Sequence, residues 1–343
     1  MKTSLLLLSV FVVSLSHAAN KATVRLSAGA PRTVHQQGSE EGFSGPVLGF
    51  LTNQEGTELR AITGVPGAAL VSQPIALPEA VGRVFLAPSQ QWAVVEKRNG
   101  SGLAAMLLDS PNLALQDIAG SFAHADVIAF SPSGTRLAVY SKAVAMVQII
   151  ARHADSIQVE REFGSDIAPR RLAIDDAGLA PVIETEAGVL SLTNDGMSRI
   201  IYSGRPAFMT YASNSGVLYV GDSDTWRITR LEGASRSVLG AALPEGSAEA
   251  WSSLDGNSLF IVSGRDGIRI WPLEGRAERV SLPAAGGLLS RLRTGDAFLF
   301  SAEPDDPAWL LFSDSDSIHV SFAGRTEVSE PSLGEERGRH EKR

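Results

Sequence analysis

The stretch VIAFSPSGTRLAVYSKAVAMVQIIARHADSIQVEREF, Val127 to Phe163, reads as four short strands in a row. Apolar Val127 to Phe130 leads through the turn Ser131-Pro132-Ser133-Gly134 to a second strand, Arg136 to Ser141. Ala145 to Ile150 makes a third, and a polar link from His153 to Ser156 leads to a fourth, Ile157 to Phe163. In this last segment Ile157 and Val159 alternate with Gln158 and Glu160, the period of two of a strand covered on one face. In the turn, proline fixes one φ and glycine supplies a residue free to take positive φ.

The same grammar extends outward in both directions. Val84 to Pro88 precedes Gln91 to Val95, Arg171 to Ile174 precedes a turn at Gly178, and Phe208 to Tyr211 precedes one at Gly216. Ala250 to Ser252 leads to Gly256, and Leu289 to Leu292 leads to Gly295. From Gln91 through Gly134, Gly178, Gly216, Gly256 and Gly295 the steps are 43, 44, 38, 40 and 39 residues. A period near 40 with four strands per unit is the spacing of propeller blades. Helix-pair solenoids repeat at a similar length, but no unit sustains apolar residues at i, i+3, i+4 and i+7 over two turns, and Leu103 to Leu108 is short enough for a third strand. Ahead of the six units, Val47 to Thr52 and Thr57 to Ile62 resemble the last two strands of another. The expectation is therefore an all-β β-propeller of four-stranded antiparallel blades, seven in number, with six plus an extra hairpin as the other count. Thr23 to Ser27 is a further short strand that could help close the ring.

The 343-residue chain is 44% hydrophobic and 20% charged, enough to bury a core. Its 30 Lys+Arg against 38 Asp+Glu give a net charge of -8, which argues against a nucleic-acid partner. Residues 1–18 have the form of a signal peptide: Lys2, then Leu5 to Val13 broken only by Ser9, then small residues at Ser16 and Ala18 around His17. No later stretch is long and apolar enough to span a membrane, since Gly64 to Ala80 is interrupted by Pro66, Pro74 and Pro78. The expected organisation is a signal peptide at 1–18, an irregular lead-in at 19–43, the propeller at 44–323 and a charged, disordered tail at 324–343. The absence of cysteine excludes thiolate nucleophiles and Cys-ligated metals, and in an exported protein it fits a bacterial periplasm or cell exterior.

Leu259 to Leu273, with Ser263-Gly264-Arg265-Asp266-Gly267 ahead of Ile270-Trp271-Pro272, resembles the latter half of a WD40 repeat, with Pro272 where the family has Asp. Val127 to Val139 is similar to the inner strand and turn shared by WD40-like, TolB-type and YVTN-type propellers. The Gly-His pair of WD40 repeats is missing throughout. The resemblance implies the fold; it does not supply a function.

Chemistry-bearing motifs are sparse. His35, His124, His153, His319 and His340 share no short spacing, so no metal site is expected. Asp222-Ser223-Asp224, Asp314-Ser315-Asp316 and Asp305-Asp306-Pro307 fall where hairpins should turn, and lack the remaining ligands of a calcium loop. There is no Gly-x-Ser-x-Gly elbow and no phosphate loop, and Asn99-Gly100-Ser101 is a glycosylation acceptor relevant only in a eukaryotic host. Glu249, Asp175 and Asp176 are acids near first strands; a propeller can bring together acids 40 residues apart. Trp92, Trp226, Trp251, Trp271 and Trp309 are expected to fill the wedges between blades. Catalytic and cofactor-binding residues are not legible, and no cofactor is implied. The leading expectation is an exported non-catalytic scaffold for a protein, peptide or glycan. The alternative is a propeller enzyme of lactonase or quinoprotein-dehydrogenase type with its site at the central channel.

Overall fold

The four strands of Val127 to Phe163 form one antiparallel sheet, and the unit recurs around a ring. The computed structural model describes residues 46–325 apart from 54, 111, 155, 195, 244–247, 283–287, 294–296, 302–307 and 314–317. The first unit comprises β1 (Val47–Thr52), β2 (Leu59–Val65) and β3 (Ala68–Val71). The second comprises β4 (Val81–Leu86), β5 (Trp92–Lys97), β6 (Leu103–Leu107) and β7 (Leu115–Asp117), and the third β8 (Val127–Phe130), β9 (Arg136–Ser141), β10 (Met146–Arg152) and β11 (Ile157–Gly164). The fourth comprises β12 (Arg171–Ala173), β13 (Val182–Thr185), β14 (Gly188–Leu192) and β15 (Ser198–Tyr202). The fifth comprises β16 (Pro206–Tyr211), β17 (Leu218–Asp222), β18 (Arg227–Glu232) and β19 (Ser235–Ala242). The sixth comprises β20 (Glu249–Ser252), β21 (Leu259–Ser263), β22 (Asp266–Trp271) and β23 (Arg276–Ser281). The seventh comprises β24 (Leu288–Arg291), β25 (Ala297–Ser301), β26 (Ala308–Ser313) and β27 (Ile318–Arg325).

Each sheet buries both faces against its neighbours, which is why the second and third strands read as almost unbroken apolar runs. Trp92, Val94 and Leu103 pack on Leu137, Val139 and Ile150 between the second and third units. Equivalent clusters fill every successive junction, and Leu48, Ile62 and Ala69 pack on Leu299, Leu310 and Ala323 between the seventh and the first. The ring is closed, and the protein is a β-propeller. Among the described residues six blades have four antiparallel strands and one has three.

The three-stranded blade decides how the ring closes. β27 pairs with β26 along most of its length, and its last residues, Ala323 to Arg325, then pair parallel with Ala69 to Val71 of β3. Stepping inward through antiparallel pairs gives β1 the sense of a second strand and β3 the sense of a fourth. Val47 to Thr52 and its partner are thus not the last two strands of a blade: β3, short and flanked by Gly67 at φ 86°, follows them and went unread. β27 runs two residues into the stretch expected as tail, and it joins the last blade to the first. The signal peptide, lead-in, Thr23 to Ser27, His35, His340 and residues 326–343 lie outside the described residues.

The hairpin turns between first and second strands of blades two, three, four and six follow one plan. Gly134, Gly178 and Gly256 each donate an amide to the residue three before, Ser131, Asp175 and Ser253, with φ of 72°, 66° and 72°. In the second blade Gln90 holds that position, donating to Ala87 with φ 49°. A non-glycine residue there costs about 1–2 kcal/mol. What Gln90 does in return appears at the channel.

Candidate functional site: the central channel

The first strands of blades two to seven and the β1–β2 turn surround a cavity of about 800 Å³. One end is closed. Arg291, at the end of β24, is buried and donates from its guanidinium to the Pro132 carbonyl at 2.9 Å, reaching across the ring from the seventh blade to the third. Gln90 lies beside it, donating to the Arg291 carbonyl at 2.7 Å and the Phe50 carbonyl at 3.0 Å while accepting from the Phe50 amide at 2.6 Å. The Phe50 groups belong to the inner edge of β1, where other blades have a further strand; the carboxamide pairs with that edge as a strand would.

The other end, where first strands begin, carries charge. Arg83 of β4 faces Glu96 of β5, and Arg171 of β12 faces Glu184 of β13, each as directly opposed cross-strand residues. The Arg83–Glu96 contact is 2.5 Å and the Arg171–Glu184 contact 3.3 Å. Both arginines also reach onward to the next blade, Arg83 to the Ala125 carbonyl at 3.0 Å and Arg171 to the Ala207 carbonyl. The second oxygen of Glu96 meets His124 Nδ1 at 2.5 Å. Burial pushes the Glu184 carboxyl up, opposed by the positive charges of Arg171 and Arg170.

The sixth blade breaks this pattern. Its first strand has Glu249 where two other blades have arginine, and the residue opposite is Val262. Glu249 Oε2 accepts the Leu289 amide of the next blade at 3.0 Å. Its side chain is open to channel water yet ringed by protein on its other sides. That enclosure pushes the carboxyl above its usual value, against the opposing pull of the Leu289 bond and the Arg171 charge. The result is a carboxylate of raised basicity near a guanidinium, inside a cavity closed at its far end. Tyr211 also lines the wall, its hydroxyl pushed up by burial and then by Asp175.

Of the acids noted from sequence that fall among the described residues, Glu249 alone lines this cavity. Asp175 caps its own turn by accepting the Gly178 amide at 2.8 Å. Asp176 links three blades, accepting the Ser133 amide and hydroxyl at 2.8 and 2.6 Å and the Asn214 amide at 2.9 Å. Asp222 binds the Thr225 amide, the Thr225 hydroxyl and the Tyr202 hydroxyl, a turn role. Asp305, Asp306, Asp314 and Asp316 lie outside the described residues. His124 and His153 pair with Glu96 and Glu160, and among the described residues no three His, Asp or Glu converge as a metal site would require. Trp92, Trp226, Trp251 and Trp309 pack in clusters between blades. Trp271 is buried beneath the guanidinium groups of Arg269 and Arg276, 4.4 and 3.7 Å from its ring centre. Sequence reading missed Arg83, Glu96, Arg171 and Glu184. The signal was present: the same Arg and Glu types, 13 positions apart, recur 88 positions later.

No protein-family model matches the chain, and no curated protein matches it. The WD40 and YVTN resemblance therefore extends to architecture alone. Solved structures do match. A functionally unknown protein from Desulfotomaculum acetoxidans is similar with a TM-score of 0.54 at 12% identity, over 82% of this chain and 100% of that one. A candidate 6-phosphogluconolactonase from Bacteroides uniformis gives 0.52 at 11% identity, over 80% and 94%. The periplasmic gluconolactonase of Pseudomonas aeruginosa gives 0.51 at 15% identity, over 81% and 96%. At these identities the likeness is one of fold. Among the described residues no helix is long and apolar enough to cross a membrane.

Proposed function

We propose that the protein is an exported hydrolase that opens a sugar lactone in its central channel. The observation that carries the reading is Glu249, a channel carboxylate of raised basicity with no cross-strand basic partner and with the Arg171 charge within reach. The lactonase names among structures of the same fold support the choice of substrate, and residues 1–18 support export. In this reading Glu249 takes a proton from water as the water oxygen bonds to the lactone carbonyl carbon. The carbonyl electrons move to its oxygen, where a rim guanidinium balances the charge. Collapse breaks the ring C–O bond, Glu249 returns its proton to the leaving alkoxide, and the product is the open hydroxy acid. A general base works best with a pKa drawn towards the working pH, and burial moves Glu249 in that direction.

The test is pH-stat hydrolysis of D-glucono-1,5-lactone by the full chain. Glu249→Gln is expected to lower kcat by about 100-fold or more, with KM little changed. The wild-type kcat should rise with pH to a midpoint above the ordinary Glu value of about 4.3. Hydrolysis no faster than the buffer rate, or unchanged in the variant, would reject the reading.

A further inference from the structure

A second concavity meets the channel at Tyr211, which lines both. Between the fourth and fifth blades a groove of about 390 Å³ opens among the turns that follow β12, β16 and β18. Val182, Leu218 and Leu231 form its floor. Ile200 and Leu179, lining it, are 53% and 59% exposed, and Met197 nearby is 66% exposed. This is apolar surface left uncovered beside a concavity, the arrangement that marks recognition sites.

Charge then narrows the occupant. Two arginines, Arg199 and Arg236, line the same groove against one acid, Asp175, whose carboxylate is taken by the Gly178 amide, and among the described residues neither arginine forms an ion pair. Arg236 instead lies over the Tyr202 ring, 4.9 Å from its centre. The outermost strands flanking the groove, β15 (SRIIY) and β19 (SRSVLGAA), contain no acid. Three other outer strands carry acids, Asp117 on β7, Glu160 and Glu162 on β11 and Glu278 on β23, whereas β3 and β27 carry none. In a chain of net charge -8 this is a local positive surface. Exposed strand edges are usually guarded by charged side chains, and on these two the charge is basic, with aliphatic side chains between.

We infer that this groove binds an extended, acidic peptide segment of a partner protein, its aliphatic side chains on the Leu218 and Leu231 floor and its carboxylates on Arg199 and Arg236. An extended chain sends alternate side chains to opposite sides, so alternating aliphatic and acidic residues satisfy both features at once. The surface is separate from Glu249, so its role does not depend on lactone hydrolysis.

The experiment uses fluorescence anisotropy of the full chain with a labelled octapeptide alternating leucine and glutamate, and a counterpart with lysine for glutamate. The acidic peptide should bind, weakening at least tenfold in Arg199→Glu/Arg236→Glu and about threefold in Arg199→Gln. The lysine peptide should prefer the double variant, and Arg279→Glu on β23 should change nothing. Lactone hydrolysis should be the same in all of them. Absence of acidic-peptide binding, equal binding of both peptides to the wild type, or equal acidic-peptide affinity in wild type and double variant would overturn the inference.

Discussion

Replacing Gln90 by glycine sets two structural effects of opposite sign against each other. Glycine is the residue that the equivalent turns use, at Gly134, Gly178 and Gly256, so the substitution relieves a left-handed backbone held at φ 49°. That relief is about 1–2 kcal/mol. Against it, three buried backbone groups lose their partner: the Phe50 amide, the Phe50 carbonyl and the Arg291 carbonyl. Each orphaned group costs about 1–3 kcal/mol, less where water enters the vacated space. The balance favours loss, and Gln90→Gly should be less stable by about 2–5 kcal/mol. Urea unfolding followed by tryptophan fluorescence measures this, with Gln91→Ala, an exposed neighbour, expected within about 0.5 kcal/mol of wild type. Amide exchange should localise the damage to Phe50 and β1. A Gln90→Gly protein as stable as the wild type or more so would refute the reasoning, because strain relief would then outweigh the clasp.

Two further outcomes follow from contacts between blades. Trp92→Phe keeps most of the packing against Phe130, 5.6 Å between ring centres, but removes the indole N–H that reaches the Gly134 carbonyl at 2.8 Å; urea unfolding should register a loss of about 2–3 kcal/mol. Asp176 is pushed up by burial, but the bonds from Asn214 and Ser133 outweigh this and leave it below the ordinary carboxylate value. A lowered carboxyl stabilises the fold above its unfolded pKa of about 3.9, and that contribution fades as pH falls through the folded value. Asp176→Asn should therefore lower the urea midpoint at pH 6 more than at pH 3, and an equal drop at both would count against the linkage.

The fold was legible because its physics is local and repeated. Each blade buries both faces of its middle strands, so Val94, Val139, Ile183 and Ile261 recur in apolar runs at the blade period, and the first turns of blades two to six each hold a residue at positive φ. The first blade was harder to read for the same reason: it lacks the first strand and the turn after it that mark the others, and its outer edge is completed by β27 through a parallel pairing that no local pattern announces. The closed end of the channel was illegible in kind, since Arg291 and Pro132 are 159 positions apart and meet only because the ring folds back on itself.

The channel lies between these cases. Arg83 with Glu96 and Arg171 with Glu184 read singly as ordinary strand residues, and only superposing blades two and four shows the pair as a repeated device. Such a pair is nearly neutral in sum and ties one blade to the next, so two copies describe a scaffold rather than a reaction. Glu249 acquires meaning by departing from them. With Val262 opposite, its charge has no cross-strand neutraliser, and the same enclosure that the arginines tolerate through their partners raises its basicity instead. A repeat protein can place a reactive group by breaking its own pattern in one blade, because the other blades still supply the walls, the closed end and the compensating charge. Converting Glu249 to arginine would restore that pattern only in part, since Val262 offers no carboxylate to receive it.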